Sequence, residues 1–179
     1  MTKKLSLEDL QRLSLSEYKS KEKNQIILLA DNIRSGHNIG SLFRIADSFG
    51  FEAVDLHGCS VKPPHPEINK TAIGATESVT WSAIDNINTY VEKKINQGYK
   101  IIAIEQTTNS IPLHRFPINV NEKYILIFGN EVHGVSDDII KLTNHFIEIP
   151  QFGTKHSLNV SVAAGIVAWH FLDKILTNK

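Results

Sequence analysis

Apolar residues in this chain occur in two kinds of run, which differ in length and spacing. Short strand-like runs lie at residues 25–30, 53–57, 78–81, 100–104, 124–128 and 146–149, and the first of them is a continuous apolar run with Ile-Ile-Leu-Leu inside it. Longer runs with apolar residues at helical spacing alternate with them, at residues 38–49, 85–97 and 157–175. The alternation predicts an α/β fold, with an open, mostly parallel sheet and helices on both of its faces.

The ends of the predicted helices carry residues that helices favour there. Gly50 and Gly98 follow two of the periodic segments and are expected at their C-terminal ends. Ser157 follows a strand that ends at a proline, and we expect it to cap the last helix. Gly40 lies inside a predicted helix, where glycine costs about 1 kcal/mol relative to alanine. We attribute it to close backbone approach to another element or to a ligand. Shorter helices are expected at residues 67–73 and after Ser136.

The first 24 residues form a separate unit of the pattern. A capping-box-like start at Ser6–Asp9 precedes Leu7, Leu10 and Leu13 at helical spacing, and a charged run follows at residues 19–23. We interpret this segment as a solvated helix and linker, the alternative being an arm that contacts a polyanion. The predicted organisation is an N-terminal helical arm at residues 1–24 and one domain at residues 25–179.

Composition removes several classes of function. The formal net charge is zero, which does not indicate a strongly basic nucleic-acid binder but leaves room for a local basic patch. The single cysteine, Cys59, fits a reducing cytoplasmic setting. The scattered histidines lack metal-ligand spacing, so no metal site is predicted. Because we find neither a signal peptide nor an apolar run of membrane-spanning length, we expect no membrane association.

Three loops at predicted strand ends carry the candidate chemistry. In the first, residues 32–44, Arg44 could hold a phosphate, although a surface or salt-bridged arginine is the alternative. In the second, residues 129–134, Glu131 is either a buried carboxylate, an inter-subunit partner or a solvated turn residue. In the third, residues 149–161, Ser157 and Asn159 offer a hydroxyl and an amide, or simply cap a helix. The chain has no GxGxxG or Walker A pattern, which disfavours an unrelated nucleotide-binding enzyme.

Together and in this order, the three loops resemble the SpoU family of the SPOUT class of RNA methyltransferases, over roughly residues 25–175. The matching positions are Asn32, Asn38, Gly40 and Arg44, then Phe128–Gly134, then Ile149–Ser161, with Thr71–Ala75 as a further similar segment. Gln151 departs mildly from the family, where many relatives carry methionine.

The resemblance implies a fold and a cofactor. The α/β sheet would end in a C-terminal trefoil knot formed by the loop at Gly129, the loop at residues 149–157 and the final helix. These loops would bind S-adenosylmethionine in a bent form, largely through backbone groups. The implied contacts are Gly129, Ile149 and Leu158, with Glu105 or Gln106 nearby.

The resemblance also implies a reaction, which is methyl transfer to a ribose 2′-hydroxyl of RNA. Arg44 would activate the hydroxyl or bind the adjacent phosphate. The groups that orient the ribose, Arg44 or the loops would be Asn38, Glu131, Ser157 and Asn159. Family members act as homodimers, so the active site would take residues from both subunits.

We expect tRNA as the substrate, because the chain shows no separate N-terminal RNA-binding domain of the kind several ribosomal-RNA members carry. Ribosomal RNA is the alternative substrate, and a non-catalytic RNA-binding module is the alternative function. Candidate RNA contacts are Arg34, His37, Lys62, His65 and Lys155, each of which could instead be a solvated surface group.

Overall fold

The computed structural model describes residues 2–6 and 8–178. Within this part the chain forms an α/β fold whose elements follow one another closely. The helices are α1 (Leu15–Ser20), α2 (Gly36–Phe49), α3 (Pro66–Ala72), α4 (Ala75–Ser78), α5 (Ile87–Asn96), α6 (Asp137–Leu142) and α7 (Val160–Thr177). The strands are β1 (Asn24–Asp31), β2 (Phe51–His57), β3 (Thr80–Ile84), β4 (Tyr99–Ile104), β5 (Ile111–Pro112), β6 (Lys123–Phe128) and β7 (His145–Glu148).

The seven strands form one sheet in the order β3-β2-β1-β6-β4-β7-β5. Every pairing within it is parallel, which confirms the predicted architecture. Strand β6 lies at the centre, with Leu126 in register with Leu28 on one side and Ile102 on the other. Because all strands point the same way, their carboxyl ends and the loops that follow them meet at one edge of the sheet.

Apolar side chains from the sheet form two cores, one on each face. Along β1, Ile26 and Leu28 contribute to the first core, and Ile27 and Leu29 to the second. This alternation is the two-residue period of a strand, and it explains why the central strands are apolar without interruption. Helices α2, α3 and α7 cover the first core, whereas α5 and α6 cover the second.

Helices α2 and α3 approach each other most closely at Gly40. A Cβ atom built there would lie 2.4 Å from the carbonyl oxygen of Ile68 and 3.0 Å from the backbone nitrogen of Ala72. The expected reason for a glycine inside this helix, close backbone approach to another element, is therefore confirmed. The contact fixes α3 against the outer side of α2.

Several predicted boundaries were wrong. The Ser6–Asp9 capping box forms, but the turn it starts ends at Gln11, which has φ of 44°, and α1 begins only at Leu15. Leu7 lies outside the described residues. A second capping box, between Ser14 and Glu17, starts α1. The division of the chain into an arm and a domain at residue 24 stays a prediction.

The N-terminus of α7 also differs from the expectation. Its N-cap is Asn159, whose Oδ1 accepts hydrogen bonds from the backbone N–H groups of Ser161 (2.9 Å) and Val162 (3.4 Å). Ser157 lies two residues earlier in the exposed loop and does not cap the helix. Among the strands, β3 starts at Thr80 rather than Ser78, and β2 starts at Phe51 rather than Ala53.

Helix α7 is apolar on more than one side. Its length and mean hydropathy are those of a helix that could cross a membrane, but Ala164, Val167 and Phe171 are buried in the first core. On the opposite side, Val162, Ile166 and Trp169 are 50%, 40% and 53% exposed. We call these three residues the α7 stripe.

We expect Gly40→Ala to lower the free energy of unfolding by about 1–3 kcal/mol, because its methyl group meets backbone atoms that cannot rotate away. Ser48→Ala, at an exposed position of the same helix, is the control and should change stability by less than about 0.5 kcal/mol. Urea unfolding followed by circular dichroism measures both. Equal stability of the two variants would contradict the close packing of α2 on α3.

Candidate cofactor and substrate site

A cavity of about 760 Å³ lies at the carboxyl edge of the sheet, beyond strands β4, β6 and β7. Three segments form its wall: residues 104–107 after β4, residues 128–135 after β6, and residues in the stretch 147–163 between β7 and the start of α7. Its volume falls within the usual range for sites that bind small organic ligands. Open α/β sheets place their ligands at this edge.

The loop after β6 is closed on itself by backbone hydrogen bonds. The N–H of Asn130 donates to the carbonyl of Gly134 (2.9 Å), and the N–H of Gly134 donates back to Asn130 (3.0 Å). A Cβ atom at Gly129 would lie 2.2 Å from the nitrogen of Val135 and 2.4 Å from the Gly134 oxygen. Only glycine therefore fits at position 129, and the cavity wall there consists of bare backbone.

The side chain of Asn130 completes this loop and anchors it to β1. Its Oδ1 accepts hydrogen bonds from the N–H groups of Val132 (2.9 Å) and His133 (3.1 Å), while its Nδ2 donates to the carbonyl of Asn32 (2.7 Å). Asn32 has φ of 56°, in the left-handed region. Sequence reasoning included Asn130 in the second motif but did not assign it this role.

Asp31, the last residue of β1, is a fully buried carboxylate that joins three elements. One oxygen lies 2.7 Å from Nδ1 of His57 at the end of β2, and the other accepts the backbone N–H of Ser136 at the start of α6 (2.7 Å). Burial raises the pKa of Asp31, but hydrogen bonds from His57 and Ser136 outweigh it, and the pKa lies below its usual value.

Sequence reasoning missed both Asp31 and His57. A signal was present, because each is an ionisable residue that ends a strand and precedes a loop at the ligand-binding edge of the sheet.

A chain of side-chain hydrogen bonds links the three sequence motifs. Nδ2 of Asn159 donates to Oδ1 of Asn38 (3.2 Å), and Nδ2 of Asn38 donates to Oε1 of Glu131 (2.9 Å). Glu131 also accepts the backbone N–H groups of Arg34 (3.3 Å) and Ser35 (3.2 Å). The structure thus brings together three of the predicted site residues, and two of them, Glu131 and Asn159, line the cavity.

Glu131 is held as an anion by these donors. Its partial burial raises the pKa, but the hydrogen bonds from Asn38 and from backbone N–H groups have the larger effect together, so the pKa lies below its usual value. A carboxylate with a lowered pKa and several donors is a weak base near neutral pH. Its role in this geometry is to hold the first and second motifs together.

The segment after β4 connects to the loop that leads into α7. Glu105 accepts hydrogen bonds from the N–H groups of Gln106 and Val135, both at 2.9 Å. Nε2 of Gln106 donates to the carbonyl of His156 (2.9 Å). The cavity is lined by every residue predicted to contact the cofactor: Glu105, Gln106, Gly129, Ile149 and Leu158. Ser157 lines it as well.

Arg44 lies elsewhere. It is exposed on the outer side of α2 and lines a second cavity, of about 390 Å³, whose lining shares no residue with the first. Within one chain, the structure therefore does not bring Arg44 to the predicted cofactor contacts. Asn38, six residues earlier on α2, instead forms the hydrogen bonds with Glu131 and Asn159 described above.

The predicted RNA contacts are mostly surface groups. Arg34, His37, Lys62 and Lys155 are exposed, whereas His65 is half-buried and caps α3 by accepting the N–H of Glu67 (3.3 Å). His37 lies 3.7 Å from the Glu67 carboxylate, and Arg34 adjoins the loop after β6 through its backbone. Within residues 2–6 and 8–178, no group of three or more His, Cys, Asp or Glu side chains could hold a metal ion.

The fold is that of the SPOUT methyltransferases. The solved structure of the Aquifex aeolicus TrmH/SpoU tRNA modifying enzyme superposes with a TM-score of 0.81 at 26% identity, covering 92% of this chain and 82% of that one. The SpoU methyltransferase AviRb from Streptomyces viridochromogenes gives a TM-score of 0.78 at 20% identity, covering 90% and 63%.

The chain belongs to the SpoU rRNA methylase family, whose model matches residues 25–169. It is 30% identical to the tRNA (guanosine(18)-2′-O)-methyltransferase of Aquifex aeolicus, over 87% of this chain and 72% of that protein. It is also 30% identical to a 23S rRNA (guanosine-2′-O-)-methyltransferase of Neisseria meningitidis, over 79% of this chain and 56% of that protein. The family predicted from the three motifs is confirmed.

We expect Asp31→Asn to lower the free energy of unfolding by about 1–3 kcal/mol at neutral pH. The substitution replaces one carboxylate oxygen with an NH2 group, which then faces a hydrogen-bond donor instead of accepting from it. Since the folded-state pKa of Asp31 lies below 3.8, the carboxylate stabilises the fold above that pH and loses its effect as pH falls through the folded value. The difference between wild type and variant should therefore be largest above about pH 5 and shrink below about pH 4.

Chemical unfolding at a series of pH values measures this difference. The exposed Asp138→Asn is the matched control and should leave stability within about 0.5 kcal/mol at every pH. A difference for Asp31→Asn that is constant with pH would contradict a stabilising carboxylate.

Proposed function

We propose that the protein transfers the methyl group of S-adenosylmethionine to a ribose 2′-hydroxyl of RNA. The observation that carries this proposal is the hydrogen-bonded chain from Asn159 through Asn38 to Glu131, which joins all three family motifs beside a ligand-sized cavity. The names of the family relatives, which modify tRNA or 23S rRNA at ribose, support it.

The cavity fits S-adenosylmethionine by size and by chemistry. Apolar groups of Ile147, Ile149 and Leu158 line it and suit an adenine ring, and the bare backbone at Gly129 allows close approach. Carboxylates in its wall, among them Glu131, are compatible with a sulfonium cation. When bound, S-adenosylmethionine supplies an electrophilic methyl group. Solved relatives, including AviRb, contain it.

The residues of this chain would then position the nucleophile. A ribose hydroxyl is a poor nucleophile that needs alignment with the methyl group and loss of its proton. A guanidinium group has hydrogen-bond donors and no acceptor, so we assign Arg44 to binding the phosphate beside the target ribose rather than to removing the proton. Asn38 and Glu131 are positioning residues that hold the first two motifs in register, and Ser157 offers its hydroxyl at the cavity wall.

We further propose that the protein acts as a homodimer that pairs through the α7 stripe. Its three side chains are half-exposed and apolar. The ring of Trp169 packs beside that of Phe49 in α2, with ring centroids 6.0 Å apart, which extends the apolar surface onto α2. Pairing of this face would bring Arg44 of one copy towards the cavity of the other, which one chain alone does not achieve. The homodimers implied by the family resemblance support this arrangement.

We favour tRNA over ribosomal RNA as the substrate. Relatives from Aquifex aeolicus and Saccharomyces cerevisiae are named for methylation of guanosine 18 of tRNA, the latter at 26% identity over 87% of this chain and 11% of its own length. The exposed basic residues Arg34, His37, Lys62 and Lys155 would contact the RNA. We place the protein in the cytoplasm, in keeping with its single exposed free cysteine.

We expect wild-type protein to transfer labelled methyl groups from S-adenosylmethionine to unmodified tRNA, and Arg44→Ala to lower the rate at least about 100-fold. Arg115→Ala, at an exposed position on the 3₁₀ turn after β5, is the control and should retain activity. Nucleoside analysis must find the label on ribose. Label on a base would contradict the reaction, and cofactor binding without any transfer to tRNA or ribosomal RNA would favour a non-catalytic RNA-binding module.

A shared active site can be tested by mixing two inactive variants. Arg44→Ala lacks the arginine, and Leu158→Arg fills the cofactor cavity. If Arg44 serves the cavity of the partner copy, half of the randomly formed dimers carry one intact site, so an equal mixture should recover roughly a quarter of wild-type activity. If the site lies within one chain, no dimer has an intact site and the mixture stays inactive.

A further inference from the structure

The second cavity, of about 390 Å³, lies between α2 and α3. Two cations reach it, Arg44 from α2 and Lys70 from α3. The rest of its lining is Ser41, Ile45, Ser48, Phe49 and Thr71. Neither the sequence motifs nor the proposed reaction gives Lys70 a role, and no carboxylate lines the cavity.

The packing of the two helices brings these two cations to one cavity. Gly40 lets α3 lie against α2, and hydroxyls of Ser41 and Thr71 both donate to the carbonyl of His37, at 2.9 Å each. The bond from Ser41 lies within α2, whereas the bond from Thr71 ties α3 to the first turn of α2. The backbone positions of Lys70 and Arg44 are therefore fixed relative to each other.

The carboxylates nearest in sequence are engaged elsewhere. Asp47 accepts the hydroxyl of Ser78, and Glu67 accepts the N–H of Gly36 (3.2 Å) and faces His37. Among the residues the structure describes, neither Arg44 nor Lys70 forms an ion pair. Two cations that line one cavity and form no ion pair create a local positive potential on a protein whose net charge is zero.

We propose that Lys70 and Arg44 together bind one phosphodiester group of the RNA substrate. Arg44 contributes a planar fork that matches two phosphate oxygens, and Lys70 contributes a second, compact charge. The inference rests on the proposed function, because it assumes that the anion is RNA. The position fits, since Phe49 in this cavity also contacts Trp169 of the α7 stripe, where the cavity of a partner copy would come near.

The salt dependence of RNA binding tests the subsite. Each phosphate contact that is lost should reduce the slope of log K against log salt concentration by about 0.7–0.9. We expect Lys70→Met to bind fluorescein-labelled, unmodified tRNA roughly 3- to 10-fold more weakly at about 150 mM KCl, with a slope smaller by about that amount. Binding of S-adenosylmethionine, measured by calorimetry, should stay as in wild type.

Lys93→Met is the matched control, because Lys93 is equally exposed but lies on α5, which covers the opposite face of the sheet. A Lys70→Met slope equal to that of Lys93→Met would overturn the subsite. The subsite would also be overturned if Lys70→Met weakened the dimer in sedimentation experiments and left the salt slope of RNA binding unchanged. The cations would then pair with carboxylates of a second copy.

Two further outcomes distinguish a failure of the proposed function from a failure of the phosphodiester subsite. A wild type that binds no RNA overturns both proposals. A wild type that methylates RNA, with Lys70→Met binding RNA as tightly and with the same slope, overturns the phosphodiester subsite alone.

Discussion

The amide of Asn38 holds together three segments that are far apart in the chain. It donates to Glu131, 93 residues away, and accepts from Asn159, 121 residues away. An amide suits this position because it offers a donor and an acceptor in one plane, whereas a carboxylate or a hydroxyl cannot present both with the same geometry. Without this bond pair, Asn159 at the N-terminus of α7 would lose its side-chain link to α2. The loop after β6 would keep, towards α2, only the bonds that Glu131 accepts from Arg34 and Ser35, just before the helix. The larger cavity therefore depends on a residue of α2 that does not line it.

A second layer of polar contacts lies beneath this one. Asp31 is buried under the loop after β6 and fixes the start of α6, while Asn130 ties the same loop to β1. Buried charges are costly unless fully paired, and Asp31 accepts hydrogen bonds on both of its oxygens. This double anchoring explains how the bare backbone at Gly129 can keep its position in the cavity wall. Rigid peptide groups give a ligand fixed donors and acceptors, with little entropy left to lose on binding.

The sequence predicted the sheet and its covering helices because both depend on local periodicity. It also predicted the close contact at Gly40, because glycine inside a helix requires a local reason. It did not predict that Asn159 rather than Ser157 caps α7, since both are good capping residues and the choice depends on Asn38, which is remote in sequence. Likewise, the partnership of Asp31 with His57 arises from parallel pairing of β1 and β2, in which these two residues lie side by side in register.

The separation of Arg44 from the cofactor cavity follows from the direction of helix α2. Asn38 and Arg44 are six residues apart, so their side chains leave the helix on different sides. Asn38 faces Glu131 and Asn159, whereas Arg44 faces α3 and solvent. In the proposed reaction, a single helix would divide the chemistry into a half that holds the methyl donor and a half that holds the RNA phosphate. In one chain, the cavity that Arg44 lines and the larger cavity share no lining residue. The proposed homodimer would unite the two halves, and RNA binding at Arg44 and cofactor binding at Gly129 would then both depend on the dimer interface.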